Sequence, residues 1–303
     1  MPVSQTLRRI STNVRFLTGS LLLPEYAAAL AERLFLTPPE PRLPQSTFFD
    51  FLDAHAGFVE HRGRNLAAWR WGPVEAPAVL LAHGWGGYAA QMRGFVPGLL
   101  RAGFRVIAYD QPAHGLSEGR LTGLPDFAGA LAAVAAHFGG NGGGVRHVVA
   151  HSLGGVATAI ALSRGLQLEG VVLVSPPSDL VGYSRRFARW YWMPEPLRRA
   201  MQAAIEERFG VRWTELEISR LAPRLKAPAL VIHDRDDLFV PWKQGVALAR
   251  AWPGARLLST EGLGHGRILE SNSVFHAAAD FIAGKSKVAD LAAPELPYPA
   301  PLY

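Results

Sequence analysis

Short uninterrupted apolar runs recur along this chain, and each ends on a cluster of polar or glycine residues. Ala78-Val-Leu-Leu-Ala82 ends at His83-Gly84, and Arg105-Val-Ile-Ala-Tyr109 at Asp110-Gln-Pro112. Val145 to Ala150 ends at His151-Ser152, and Val171-Val-Leu-Val174 at Ser175-Pro176-Pro177. Ala229-Leu-Val-Ile232 ends at His233-Asp234, and a weaker run covers Ala255 to Ser259. Runs that are apolar on both faces and separated by helix-length segments predict parallel strands sandwiched between helices. In such a sheet, ligands bind beyond the carboxyl ends of the strands, which is where the polar clusters fall.

Four stretches depart from the alternation. Residues 1–60 read as an N-terminal arm and linker: Leu30, Leu34 and Phe35 share helical spacing within Tyr26–Phe35, and Pro38, Pro39, Pro41 and Pro44 then stop the helix. This arm could pack on the core, dimerise or touch a membrane surface, with packing on the core the default. Residues 176–222 predict helices inserted after the fourth strand, within an α/β core spanning 61–285. The glycine-rich stretch Gly139–Gly144 precedes a strand and lacks Gly-Lys-Ser/Thr, so it reads as a surface connection and not a phosphate loop. Residues 286–303 form a proline-rich tail.

Composition narrows the function classes. Of 303 residues, 49% are hydrophobic and 18% charged, enough to build a substantial core. The absence of cysteine excludes disulfides, thiolate metal sites and a Cys nucleophile. The net charge of +6 is carried mostly by scattered arginines, not by a patch suited to nucleic acid, so no nucleic-acid partner is expected. No apolar run is long enough to span a bilayer. Arg8-Arg9 ahead of Phe16-Leu17 and Leu21–Leu23 only faintly resembles a signal peptide, and a helical arm in a cytoplasmic protein is the expectation.

Ala150-His-Ser152-Leu-Gly154-Gly155 lies between a buried strand and the helical stretch Val156–Leu162. It resembles the Gly-x-Ser-x-Gly nucleophile elbow of the α/β-hydrolase fold, with Ala150 in place of the first glycine. Gly262-Leu-Gly264-His265-Gly266 follows the last strand, where that fold carries its histidine. His233-Asp-Arg-Asp236-Asp237-Leu-Phe-Val240-Pro241 is similar to the family's Gly-x-x-Asp-x-x-Val-Pro stretch, with Asp234 replacing glycine. Asp110-Gln-Pro112-Ala-His114-Gly115-Leu-Ser117 is similar to its Asp-x-Pro-x-x-Gly-x-Ser turn. These motifs, in family order, cover roughly residues 66–285.

The resemblance implies an α/β-hydrolase fold with a helical lid over a mostly parallel sheet. It implies Ser152 as nucleophile, His265 as base and Asp237 as orienting acid, with Asp236 the competitor. The oxyanion donors fall on the backbone N–H groups of Trp85 and Leu153. Such a triad requires no cofactor, and no His-Glu-x-x-His or Gly-x-Gly-x-x-Gly pattern suggests one. His83 reads as shaping the oxyanion loop, His114 as part of a turn, and His151 as pointing away from the serine.

Aromatic residues at 183, 187 and 190–192 in the insert could wall a pocket or simply pack it. They favour a neutral, hydrophobic small-molecule ester, whereas Arg185, Arg186 and Arg189 could meet an anion. C–C hydrolase, acyltransferase, perhydrolase and amidase activities remain open, as does a non-catalytic binding protein of the same fold. Dehalogenase and epoxide hydrolase relatives are disfavoured, because they carry an Asp nucleophile where Ser152 stands.

Overall fold

The computed structural model describes residues 3–39, 53–139 and 144–285. Two helices come first, α1 (Val3–Leu22) and α2 (Pro24–Leu36). A hairpin of β1 (His55–His61) and β2 (Arg64–Trp71) leads into β3 (Ala78–Ala82), α3 (Val96–Arg101) and β4 (Arg105–Tyr109). Next come α4 (Leu124–His137), β5 (Val145–His151), α5 (Leu153–Ser163) and β6 (Gly170–Val174). An insert of four helices follows: α6 (Leu180–Trp190), α7 (Glu195–Phe209), α8 (Trp213–Leu216) and α9 (Ile218–Leu221). The chain then returns through β7 (Ala229–Asp234), α10 (Trp242–Ala251), β8 (Arg256–Thr260), α11 (Gly264–Arg267) and α12 (Asn272–Ile282).

The strands form one sheet in the order β1-β2-β4-β3-β5-β6-β7-β8. From β4 to β8 all neighbours are parallel, while β1 with β2 and β2 with β4 are antiparallel. Every residue of β3, β4, β6 and β7 is buried, as expected for strands covered on both faces. On one face, Phe127 and Leu131 of α4, Val156 and Ile160 of α5 and Leu248 of α10 pack on the sheet. On the other, Leu99 of α3 and Val274 and Ile282 of α12 do so.

All six apolar runs are strands, within a residue or two of the expected limits. The hairpin is additional, and it moves the expected core boundary. Residues 60 and 61 are the last two of β1, which is hydrogen-bonded to β2 throughout, so the sheet begins at His55 and not after the arm. The expected C-terminal tail lies outside the described residues, as do residues 140–143 of the glycine-rich connection and Pro41 and Pro44 of the linker.

The arm is two helices, and it packs chiefly on the insert. Phe16 of α1, Ala27, Ala31 and Leu36 of α2, and Leu197, Met201 and Ile205 of α7 share a hydrophobic cluster separate from the two sheet faces. Phe16 meets Tyr191 edge-on, with ring centres 6.1 Å apart. Glu32 and Arg208 form an ion pair across the junction. Among the described residues, no helix is long and apolar enough to cross a membrane.

Candidate active site

Ser152 joins β5 to α5 with φ 51° and ψ −123°, a left-handed conformation that is costly for a residue with a Cβ. Such strain is on the order of 1–3 kcal/mol and persists only where the surroundings enforce it. Here β5 is paired on both sides, and the Ser152 N–H donates to the Val174 carbonyl at 2.8 Å. Ala150, which replaces the elbow's first glycine, is fully buried in register between Ala82 and Leu173. Gly154 cannot be replaced so easily: a Cβ there would stand 2.5 Å from the Ala82 carbonyl oxygen. The turn therefore holds the serine side chain out beyond the carboxyl end of the sheet.

His265 meets that side chain from α11. Its Nε2 lies 3.0 Å from Ser152 Oγ, and its Nδ1 lies 2.7 Å from Asp237 Oδ2. The second carboxylate oxygen of Asp237 accepts the N–H groups of Phe239 and Val240 at 2.9 and 2.8 Å. Burial raises the affinity of Asp237 for a proton. The adjacent His233 ring and hydrogen bonds from His265 and the Val240 N–H outweigh burial and hold the carboxyl well below the usual carboxylate range. Asp236 faces elsewhere: it is exposed, and its Oδ2 accepts the Gly262 N–H at 2.8 Å. Of the two adjacent aspartates, Asp237 reaches the imidazole.

Neither Trp85 nor Leu153 has an acceptor for its N–H among the described residues. Leu153 opens α5, where the N–H has no partner within the helix. The loop of Trp85 runs against the elbow. A Cβ on Gly84 would stand 2.8 Å from the Cβ of Ser152 and 3.4 Å from the nitrogen of Leu153, so only glycine fits there. His83 shapes this loop, as the sequence suggested, and His114, read there as part of a turn, reaches across to it as well. His83 accepts the Gln111 N–H at Nε2 (2.9 Å) and donates from Nδ1 to the Gly84 carbonyl (2.8 Å). His114 accepts the Gly86 N–H at Nε2 (2.9 Å) and donates from Nδ1 to the Pro112 carbonyl (3.0 Å). Burial drives the His83 pKa down to about 3, so the ring is neutral and keeps both bonds.

Three supporting residues went unassigned in the sequence. Asp234, fully buried at the end of β7, accepts the Thr260 hydroxyl (2.6 Å) and the N–H groups of Asp236 (3.0 Å), Leu263 (3.1 Å) and Gly264 (2.9 Å). It thereby ties the loop that carries His265 to the strand that carries Asp237. His151 points away from the serine but is not idle, since its Nε2 donates to the His265 carbonyl at 3.0 Å. Burial and the neighbouring His265 lower the His151 pKa to about 3. His233 donates from Nε2 to the Val240 carbonyl at 2.8 Å and stands 3.5 Å from Asp237 Oδ2. The readable signal was shared by all three: each is a polar residue closing a buried strand.

Ser152 and His265 open into a cavity of about 460 Å³. Its apolar wall includes Phe35 and Leu36 of α2, and Ile205, Phe209, Trp213 and Leu216 of the insert. No acidic side chain lines it among the described residues, and Arg186, set 5.7 Å from the Tyr183 ring centre, stands at its edge. A more open hollow bordered by Arg146, His147 and Glu169 lies at the amino ends of the strands, away from Ser152. Among the described residues, no group of three or more His, Asp and Glu side chains is placed to hold a metal ion.

This arrangement has relatives. A bifunctional esterase/perhydrolase, DCH, of Acinetobacter calcoaceticus is 26% identical, over 65% of this chain and 87% of the relative. A non-heme chloroperoxidase of Streptomyces lividans is 27% identical, over 68% and 91%. The esterase Pf2001 of Pyrococcus furiosus superposes with a TM-score of 0.63 at 21% identity, over 82% of this chain and 98% of that one. Residues 79–281 match the profile of the alpha/beta hydrolase family. With its eight-stranded, mostly parallel sheet flanked by helices and preceded by two N-terminal helices, the chain belongs to the α/β hydrolase family.

Proposed function

We propose that the protein is a serine hydrolase that cleaves neutral, hydrophobic carboxylic esters through an acyl-enzyme. The observation that carries this reading is the continuous hydrogen-bonded chain from Asp237 through His265 to Ser152, opening into an apolar cavity. The serine hydroxyl is a weak nucleophile unless a base takes its proton. Ser152 Oγ attacks the ester carbonyl while its proton passes to His265 Nε2. Asp237 keeps the remaining imidazole proton on Nδ1 and stabilises the imidazolium without accepting a proton itself.

The tetrahedral oxyanion forms beside the N–H groups of Leu153 and Trp85, which stabilise its charge. His265 returns the proton to the leaving alkoxide as the C–O bond breaks. A water molecule, deprotonated by the same nitrogen, then attacks the acyl-enzyme. The acid leaves and Ser152 Oγ recovers its proton. The helical insert acts as a lid whose apolar underside takes the hydrophobic part of the substrate.

The test is labelling with a fluorophosphonate probe, together with hydrolysis of p-nitrophenyl esters from acetate to decanoate. The wild type is expected to label and turn over, and folded Ser152→Ala to do neither. Equal hydrolysis by Ser152→Ala would remove the basis of the proposal. Folded wild type that neither labels nor hydrolyses any ester would favour a binding protein of the same fold.

A further inference from the structure

We infer that the N-terminal helix α2 is a fixed wall of the substrate cavity, and that Phe35 and Leu36 determine the length of apolar chain it accepts. The inference rests on the cavity beside Ser152 being the substrate site proposed above. It also goes beyond the family match, because α1 and α2 precede the matched region, which begins at residue 79.

The C-terminal end of α2 is held on three sides. Phe35 stacks on Trp213 of the insert at 5.6 Å and 26°, and meets Phe187 edge-on at 5.0 Å and Tyr183 at 5.9 Å. Trp213 and Tyr183 themselves line the cavity, so the Phe35 ring is part of its framework. Leu36 is 2% exposed, and its carbonyl accepts the N–H of Thr122, another lining residue, at 2.9 Å. Just beyond the helix, Pro39 abuts the loop of Trp85, since a Cβ on Gly86 would fall 2.8 Å from its Cγ. The Glu32–Arg208 pair fixes the helix laterally to α7.

The helix end therefore bridges the insert and the loop beside the nucleophile. Two apolar side chains at the boundary of an apolar cavity, Leu36 buried and Phe35 half-buried, exclude whatever chain would otherwise occupy their volume. Truncating Leu36 to alanine removes three carbon atoms from that boundary and opens room for two to three further methylenes of ligand. Each methylene withdrawn from water tightens binding about fourfold.

Binding can be separated from catalysis in the Ser152→Ala protein. Methyl esters of C4 to C12 acids are titrated against the fluorescence of Trp85 and Trp213, which line the cavity. Affinity is expected to rise about fourfold per methylene and then level off. The plateau should move two to three carbons longer in Leu36→Ala, and also lengthen in the milder Phe35→Leu. Arg33→Ala, exposed on the same helix, should leave it in place.

In the Ser152-intact proteins, the kcat/KM optimum should shift the same way. Labelling by a small dialkyl fluorophosphate should stay within threefold of wild type in Arg33→Ala, which lies outside the cavity wall. Circular dichroism identifies any variant that fails to fold, and Phe35→Leu guards against losing both. An unchanged plateau in folded Leu36→Ala and Phe35→Leu overturns the inference, as does binding that shows no chain-length dependence. If the plateau moves but wild type hydrolyses no ester, the ester reading fails and the wall assignment stands. If wild type hydrolyses esters but the plateau stays put, the wall assignment alone fails.

Discussion

Replacing Asp237 by asparagine tests the proposed chemistry most sharply, because the geometry dictates which way the new amide must face. One carboxylate oxygen of Asp237 accepts two backbone N–H groups, from Phe239 and Val240, and the other meets His265 Nδ1. In Asp237→Asn, the two backbone donors hold the amide oxygen. Flipping the amide would set an NH₂ group against both, at about 1–3 kcal/mol for each donor left unsatisfied. The NH₂ is therefore directed at His265 Nδ1, which must lose its proton to accept it. The imidazole proton then sits on Nε2 and points at Ser152, so the base is in the wrong tautomer.

A bias of about 2–6 kcal/mol leaves roughly one molecule in 30 to one in 10⁴ correctly arranged. The same change in the Ser-His-Asp template costs about 10⁴-fold in kcat. We expect kcat for p-nitrophenyl butyrate to fall about 10³–10⁴-fold in Asp237→Asn, with KM little changed. Asp236→Asn should remain within about threefold, since an amide oxygen still accepts the Gly262 N–H and the side chain is exposed. Steady-state kinetics on both variants, with thermal melts to confirm folding, decides it. A large loss in Asp236→Asn beside a near-normal Asp237→Asn would refute the reasoning.

Gly84→Ala should abolish fluorophosphonate labelling without unfolding the sheet, because its Cβ would overlap Ser152; labelling at the wild-type rate would show that the loop gives way. Asp234→Asn should lower stability by about 3 kcal/mol near neutral pH through mispaired N–H donors, read by urea denaturation. Burial raises the Asp234 pKa, but its hydrogen bonds to Thr260 and the loop N–H groups hold it below 3.8. The stability this contributes is complete above about pH 4 and lost as pH falls through the lower folded value, so Asp234→Asn should narrow its gap to wild type as acid is added. His151→Phe should lower kcat by about tenfold with an unchanged labelling site, because the His265 carbonyl loses its donor; kinetics paired with mass mapping of the label checks both halves.

The parallel strands were legible because β3 to β7 are largely buried on both faces and read as plain apolar runs, while the half-exposed β8 reads more weakly. The hairpin was not. Six of the seven residues of β1 are incompletely buried and only Val59 is buried, so the segment has no continuous apolar signal. The resemblance nominated Ser152, His265 and the N–H groups of Trp85 and Leu153, because each follows a strand end at a short offset. The two aspartates could not be separated by position alone. Val240-Pro241 favoured Asp237, and only the turn that closes its oxygen on Phe239 and Val240 shows which carboxylate reaches the imidazole. The contact between Phe35 and Trp213 left no trace in the pattern, because it joins residues far apart in sequence through aromatic side chains that also read as ordinary core.

The arm and insert share a hydrophobic cluster of their own, distinct from the two that sandwich the sheet. The cavity beside Ser152 is therefore a seam lined by both the arm-and-insert cluster and the sheet core, and local stability follows such contiguous packed units. A ligand filling that seam adds its binding energy to the packing of both units. Occupancy of the cavity should thus be felt at a distance, as slower amide exchange in α1 and α2, so that the N-terminal helices report on what lies beside Ser152.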